Sequence, residues 1–517
     1  MTTQQRIFQD EPSLRIKVAE GKEVLDLKSE GPFSVRDATG KTVFSLDDPS
    51  VSLRVSMERY RAPRFEYTLI VEDRQIFTAA VECVQKWNRE GFAARLHQAG
   101  CEILIGGTKI GDNLVYQVRI GPFDTAGEAE SLCSRFHDGR IVRETRDRPK
   151  AVFEIYDTAY SKSARFEETA VIVPGNPGQG FTLLNACHDT DERKGRYVRG
   201  GIHFLPDSRQ GFITVADIPI ETYLKHVLAA EMQCDYPVEA LKSQAVASRS
   251  WTLSTLGLQH AGDLFDICCD SHCQLFCGKP FFEEQTARAV EETRGEVLYW
   301  KGQLCKTLYT PVCGGHTEDA ILAGIAPPVS YLKGIQDAVE GKMNYGSLRD
   351  EDRVALWVSS QPDVLCNPRR RNGYPDDPIL KAFRWELNYT RPELEKILQE
   401  KTGVDLGILF DIIPRKRGVS GRLSEVEILG SHRNLTLHGE TAIRNAFSRD
   451  SLSSSCFIVE MDLGADGVPV EVSLVGAGHG LGVGLCQAGA VTLAAAGFTC
   501  EDILKHYFAE VSLKKLY

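Results

Sequence analysis

Glu231 is a carboxyl group set among small and apolar neighbours, Ala229, Ala230 and Met232, where two helical patterns meet. Ile220, Leu224, Val227 and Leu228 share one face of the first pattern, whose start is read at Asp217 as the cap with Pro219 near the first turn. Asp235-Tyr236-Pro237 opens the second, with Val238, Leu241, Ala245, Ser248 and Thr252 as its buried stripe. Desolvation disfavours the ionised form of a carboxyl so placed, which suits a general acid near neutral pH. Taken alone, the same position also suits an ordinary solvated Glu at a helix end. A second group, His260, Cys268, Cys269, His272 and Cys273, mixes the nitrogen and sulfur donors of a zinc site. Adjacent His272 and Cys273 reach one metal together only from a loop. Cys268 stands four residues before His272, and His260 arrives from the preceding segment. Cys269 is the alternative to Cys268, and Cys313 or His316 to His260; the bland alternative is reduced, buried thiols beside a surface His. Four protein ligands leave a zinc ion no open position, so its role would be to brace a loop rather than to activate water.

The elements that must hold these groups are read from periodicity. The chain has 517 residues, enough for three or four folding units. A net charge of -11 is the wrong sign for neutralising phosphates, so nucleic acid is not an expected partner. Fifteen Cys is an odd count, which leaves at least one thiol outside any pairing within the chain. Met1 to Lys17 carries charges throughout and no apolar run of signal-peptide length, so no export segment is expected there. Val472 to Cys500 lacks Asp, Glu, Lys and Arg but is interrupted by glycines and contains His479 and Gln487. It reads as a loop leading into a buried helix near Ala488 to Ala496, not as a membrane span. Leu14 to Val18, Val51 to Val55, Ala170 to Val173 and Ile213 to Val215 alternate as strands. Between the first and second pairs, Ala80, Cys83, Val84 and Trp87 stand at helical spacing. Tyr116, Val118 and Ile120 then alternate as a strand, and Ala126, Ala129, Leu132, Cys133 and Phe136 form a second helical stripe. The expectation is an α+β, multidomain chain: a β-rich unit at 1–62, a βαββαβ module at 63–148, a β-rich unit at 149–216 that continues the first, and the chemistry-bearing part at 217–517. Arg391 to Gln399 reads as a helix, Leu423 to Leu429 as a strand, and Arg415-Lys416-Arg417 as a solvated turn.

Two resemblances join these readings. Tyr116-Gln117-Val118-Arg119-Ile120-Gly121-Pro122-Phe123 with Glu128-Ala129 resembles a SPOR domain, whose family binds peptidoglycan glycan strands stripped of stem peptides. The bare alternative is a ferredoxin-like unit without a ligand. Ile218-Pro219-Ile220-Glu221-Thr222-Tyr223-Leu224, Ala230-Glu231-Met232 and Ala240 to Arg249 closely resemble the SpoIID/LytB family, stage II sporulation protein D. Asp270-Ser271-His272-Cys273-Gln274, Cys313-Gly314-Gly315-His316-Thr317-Glu318 and Gly484-Leu485-Cys486-Gln487-Ala488-Gly489-Ala490 follow in family order, so that the resemblance runs over about 217 to 517.

The resemblance implies lytic transglycosylation of peptidoglycan, with Glu231 as the acid. An ordinary glycosidase needs two carboxyl groups. A lytic transglycosylase uses the muramic acid C6 hydroxyl in place of water, so one residue can give and take the proton and close a 1,6-anhydro ring. No second essential carboxylate is then expected, with Glu318 and Asp270 as electrostatic helpers. Some family members hold zinc through two His and two Cys, which maps here onto His260, Cys268, His272 and Cys273. Gln244, Arg249, Gln274, Thr317, His479 and Gln487 are carried over as substrate-binding residues. The family usually has His six residues before the loop Gln, whereas this chain has Leu481 there and His479 two residues earlier. Glycines 476, 478, 480, 482 and 484 would let the backbone approach a sugar; a dinucleotide fingerprint fails because no βαβ unit follows. The contrasting function is a non-catalytic glycan-binding protein that recruits or stimulates other cell-wall enzymes. The substrate implies work in the cell envelope.

Overall fold

The computed structural model describes residues 4–48, 51–133, 135–136, 139–158, 161–176, 178–184, 186, 195–209, 211–270, 272–276, 278, 283–325, 329–339, 347–370 and 378–517. Ser271 of the quoted motif lies outside them. The molecule is α+β and multidomain.

Alternating strands build two facing sheets. One runs in the order Ser163–Glu167, Lys150–Asp157, Ser52–Arg61, Val24–Ser29, Gly180–Leu184, Arg196–Arg199. The other runs Ile267–Cys268, Ser13–Lys22, Phe212–Pro219, Ile202–Pro206, Ala170–Pro174, Phe33–Arg36, Thr42–Leu46. Leu14, Ile16 and Val18 point inward at period two and are fully buried, which is why this stretch is a strand with one apolar face. Rings interlock edge to face between the sheets, Phe153 with Phe212 at 5.7 Å and Phe33 with Phe181 at 6.1 Å. Strands from before and after residues 64–147 pair with each other in both sheets, so that segment is an insertion into one β-sandwich.

The insertion is a four-stranded antiparallel sheet, Arg140–Asp147, Arg64–Arg74, Val115–Phe123, Ala94–Ala99, with helices Phe77–Arg89 and Ala126–Cys133. Leu69, Val71, Val118 and Ile120 meet Trp87 and Phe136 beneath those helices. Its extra hairpin pairs with Gln5–Phe8. From the end of the hairpin Asn113 donates to the carbonyls of Ser254 (2.9 Å) and Leu256 (2.7 Å), anchoring the insertion on the helix Val238–Thr255.

That helix is the axis of the remaining chain. Fifteen of its 18 side chains are buried, against Ile220–Glu231, Glu284–Glu292, Gln487–Ala495 and Cys500–Tyr507. A helix covered all round needs no polar face. The helix Ile220–Glu231 starts later than its sequence suggests. Asp217 is still in the strand Phe212–Pro219 and meets His203 Nε2 at 2.6 Å, while Pro219 takes the cap position. The 216/217 boundary therefore falls inside a strand, and one apolar core runs continuously from the sandwich into the helices. Residues 385–476 form a lobe of two three-stranded sheets with a core of their own. There Arg417 is no solvated turn: it lies in the strand Leu409–Arg417, pairs with Glu351 and donates to the carbonyls of Gly421 (2.6 Å) and Phe457 (2.9 Å). Among the described residues no helix is long and apolar enough to cross a membrane.

Candidate active site and metal centre

Glu231 is the last residue of the helix Ile220–Glu231, which stops because Met232 is extended and the chain turns towards Pro237, the cap of the next helix. Its carboxyl therefore leaves a helix end and enters a cleft of about 530 Å3, lined by residues 229–236 with Glu283 and Ile379. Oε1 accepts from the Leu275 backbone N–H (3.3 Å) and from the Tyr309 hydroxyl (3.2 Å). The Gln487 amide is a further donor to the carboxyl. Burial outweighs these donors and pushes the Glu231 pKa above the usual carboxyl range. Such a group keeps its proton to higher pH than a surface Glu, yet meets ready donors once ionised.

Two polar arms fix those donors. In one, Gln274 Nε2 donates to the Tyr309 hydroxyl (3.2 Å), while its Oε1 accepts from Tyr223 (3.1 Å) and Thr252 (3.0 Å). In the other, Gln487 Nε2 donates to Gln244 Oε1 (3.3 Å), and Gln244 Nε2 donates to Ser248 (3.0 Å), which returns to Tyr309. Gln244, Ser248 and Thr252 are four residues apart on the central helix, so one stripe carries both arms. Tyr309 is the residue that sequence reasoning missed. It lies four positions before Cys313 in a stretch without periodicity, and only tertiary pairing brings it to Glu231.

His260, Cys268, His272 and Cys273 converge, their donor atoms all within 4.8 Å of one another. His260 Nε2 lies 3.3 Å from Cys273 Sγ, and His272 Nδ1 lies 3.6 Å from Cys268 Sγ and 3.7 Å from Cys273 Sγ. His260 Nδ1 meets Asp263 at 2.9 Å, the outer carboxylate that usually orients a metal-binding imidazole. The donor set and its closeness fit a four-coordinate zinc ion. Of the alternative ligands, Cys269 turns away and accepts from Arg196 (2.6 Å). Cys313 belongs to another cluster, and His316 Nδ1 faces the Thr317 carbonyl (2.7 Å).

Of the residues carried over as substrate contacts, Gln244, Gln274 and Gln487 lie in the Glu231 network, behind the carboxyl. Arg249 does not: it is fully buried and grips Glu221 with two hydrogen bonds, of 2.9 and 2.6 Å. Thr317 exchanges hydrogen bonds with the backbone of Ile335. His479 is exposed, its carbonyl held by Thr310 (2.5 Å) and its N–H on Val312 (2.7 Å). Glu318, read as an electrostatic helper, accepts from the N–H groups of Val419 and Ser420 (both 3.0 Å) and clamps that loop. Asp270 accepts from the His272 N–H (2.9 Å) inside the Cys/His loop. The alternating glycines also serve the fold. At positive φ, a Cβ on Gly482 would overlap the Arg422 guanidinium, and one on Gly484 the Leu308 carbonyl.

Residues 208–300 match a family described as Stage II sporulation protein (SpoIID), 88–142 match the SPOR domain, and 326–484 match a domain of unknown function. The SpoIID match is thus shorter than the resemblance that the motifs suggest. An uncharacterised protein of Brachyspira hyodysenteriae is 29% identical over 378 residues, 70% of this chain and 88% of that protein. Stage II sporulation protein D of Bacillus subtilis is 24% identical over 321 residues, 59% of this chain and 77% of the relative. The amidase enhancer of the same species is 24% identical over 312 residues, 56% of this chain and 40% of the relative. The chain is accordingly a cell-wall-related protein that carries a SpoIID domain, on which Glu231 and the Cys/His loop both lie, and a SPOR domain inserted in its β-sandwich.

Proposed function

We propose that the protein is a peptidoglycan lytic transglycosylase acting on glycan strands, with Glu231 as its one acid and base. The observation that supports this most is a desolvated carboxyl at the wall of a cleft, its pKa raised by burial, held by Tyr309 and Leu275. Glu231 gives its proton to the glycosidic oxygen as the bond from that oxygen to C1 of the muramic acid breaks. The resulting carboxylate, facing the Tyr309 hydroxyl, the Leu275 N–H and the Gln487 amide, takes the proton from the C6 hydroxyl as its oxygen bonds to C1. The proton passes from one sugar oxygen to the other and no water is consumed. A zinc ion on His260, Cys268, His272 and Cys273 would brace the loop that leads to Gln274 and Leu275. The SPOR domain binds glycan strands stripped of stem peptides, and the substrate sets the work in the cell envelope.

Asp235 and Glu283 line the same cleft, so hydrolysis by a carboxylate pair is the reading to separate. Digests of denuded glycans analysed by mass spectrometry should show 1,6-anhydromuramoyl ends from the parent and from Glu283→Gln, and none from Glu231→Gln. Reducing muramic acid ends would mean hydrolysis. Binding without any cleavage would leave the non-catalytic reading, in which the protein stimulates other wall enzymes.

A further inference from the structure

We infer that Cys313, Cys366, Cys486 and Asp337 form a second, fully buried site for one tetrahedral divalent metal ion, zinc by preference, which pins together the strand that carries Tyr309 and the strand that leads into Gln487. The four donor atoms lie within 4.8 Å of one another, and all four residues are buried. Cys313 Sγ lies 3.6 Å from Cys366 Sγ and 3.2 Å from Asp337 Oδ2. A tetrahedral zinc ion with bonds of about 2.3 Å to sulfur and about 2.0–2.2 Å to oxygen sets sulfurs about 3.8 Å apart and a sulfur and an oxygen about 3.5 Å apart. These two separations are close to the edges of a coordination tetrahedron, and the whole set is too tight for a multinuclear cluster. Thiolates with one carboxylate are a donor set that favours zinc.

The surroundings suit anionic sulfur. Backbone N–H groups of Cys313 (3.3 Å) and Gly489 (3.5 Å) donate to Cys486 Sγ, and that of Gly315 (3.3 Å) donates to Cys313 Sγ. Cys486 also caps the helix Gln487–Ala495, where the positive end of the dipole favours a thiolate. The Tyr507 hydroxyl donates to Asp337 Oδ1 (2.7 Å), an outer contact that orients the carboxylate. A Cβ on Gly489 would overlap that hydroxyl, so the glycine makes room for the contact. Three thiolates and a carboxylate around a divalent ion carry a net charge of two minus. Arg384 and Arg422 answer it by donating to the carbonyls of Gly314 (3.0 Å) and Cys313 (3.2 Å) at the rim of the cluster.

The placement gives the site a task. Tyr309–Thr310 and Leu485–Cys486 are paired in parallel over two residues each, too short to be rigid unaided. An ion held by Cys313 and Cys486 clamps both strands, and with them the two side chains that donate to Glu231.

Metal content of the full chain, purified under reducing conditions, tests this independently of glycan cleavage. Two zinc ions per chain are expected for the parent and one for Cys366→Ser. His272→Ala, which dismantles the Cys/His loop instead, should keep one, and after cobalt exchange should show thiolate-to-cobalt charge transfer with tetrahedral bands. A parent with one ion or none overturns the inference, as does a His272→Ala variant without metal, even where Cys366→Ser does not fold. Alkylation of denatured, unreduced protein that finds two thiols missing at Cys313 and Cys366 overturns it too, in favour of a disulfide.

Discussion

At the scale of single residues, what distinguishes Glu231 is the conflict between burial and hydrogen bonding at one carboxyl. Burial raises its pKa in the folded chain, so its protonated form favours folding at low pH, and that contribution is lost as pH rises through the raised value. Glu231→Gln should therefore melt like the parent in acid and above it at alkaline pH, while glycan cleavage falls about 100-fold or more. Melting curves across pH with product counts check both; a variant less stable at alkaline pH would remove the argument from desolvation. Tyr309→Phe deletes a donor that lowers the same pKa. The alkaline limb of the pH–rate profile should move up, and an unmoved limb would deny Tyr309 its role.

At the scale of elements, the helix Val238–Thr255 separates two kinds of polar side chain on one rod. Gln244, Ser248 and Thr252 face the Glu231 network, whereas Arg249 closes on Glu221, the Glu296 carbonyl (3.0 Å) and, through Glu221, the Tyr517 hydroxyl (2.6 Å). Arg249→Met leaves a buried carboxylate uncompensated, a loss of about 3–5 kcal/mol. Denaturant unfolding should show it, with KM for glycan unchanged; a shifted KM with unchanged stability would instead make Arg249 a substrate contact. The glycine-rich stretch behaves as an element of packing as well. Gly482→Ala meets both a positive φ of 77° and the Arg422 guanidinium, and should cost about 2 kcal/mol or more. Thermal unfolding at parental values would show that the loop yields freely.

At the scale of the whole molecule, the inserted SPOR domain is tied to the helix that carries Gln244 and Ser248 by Asn113, whose Oδ1 also accepts from the Cys101 N–H (2.8 Å). Asn113→Ala removes the donor to the Ser254 carbonyl and one of the two donors to the Leu256 carbonyl, about 1–3 kcal/mol of docking. Limited proteolysis at the links between insertion and sandwich should quicken, with glycan binding intact. Equal cutting of parent and variant would mean that other contacts hold the insertion.

Much of this was legible because local physics repeats. Alternation marked Leu14 to Val18 and Tyr116 to Ile120 as strands, helical spacing marked the two helices of the insertion, and the mixed His and Cys of 260–273 pointed to donors that could gather on one loop. Motif order singled out Glu231 as the carboxyl to examine. Tertiary structure alone decided that Arg249 is sealed against Glu221, that the glycines make way for Arg422 and Leu308, and that Tyr309 reaches Glu231. It alone gathered Cys313, Asp337, Cys366 and Cys486 from distant parts of the chain. Periodicity and spacing report forces between near neighbours, whereas the partner of a buried charge or thiol is set by which remote segments the common core folds against it.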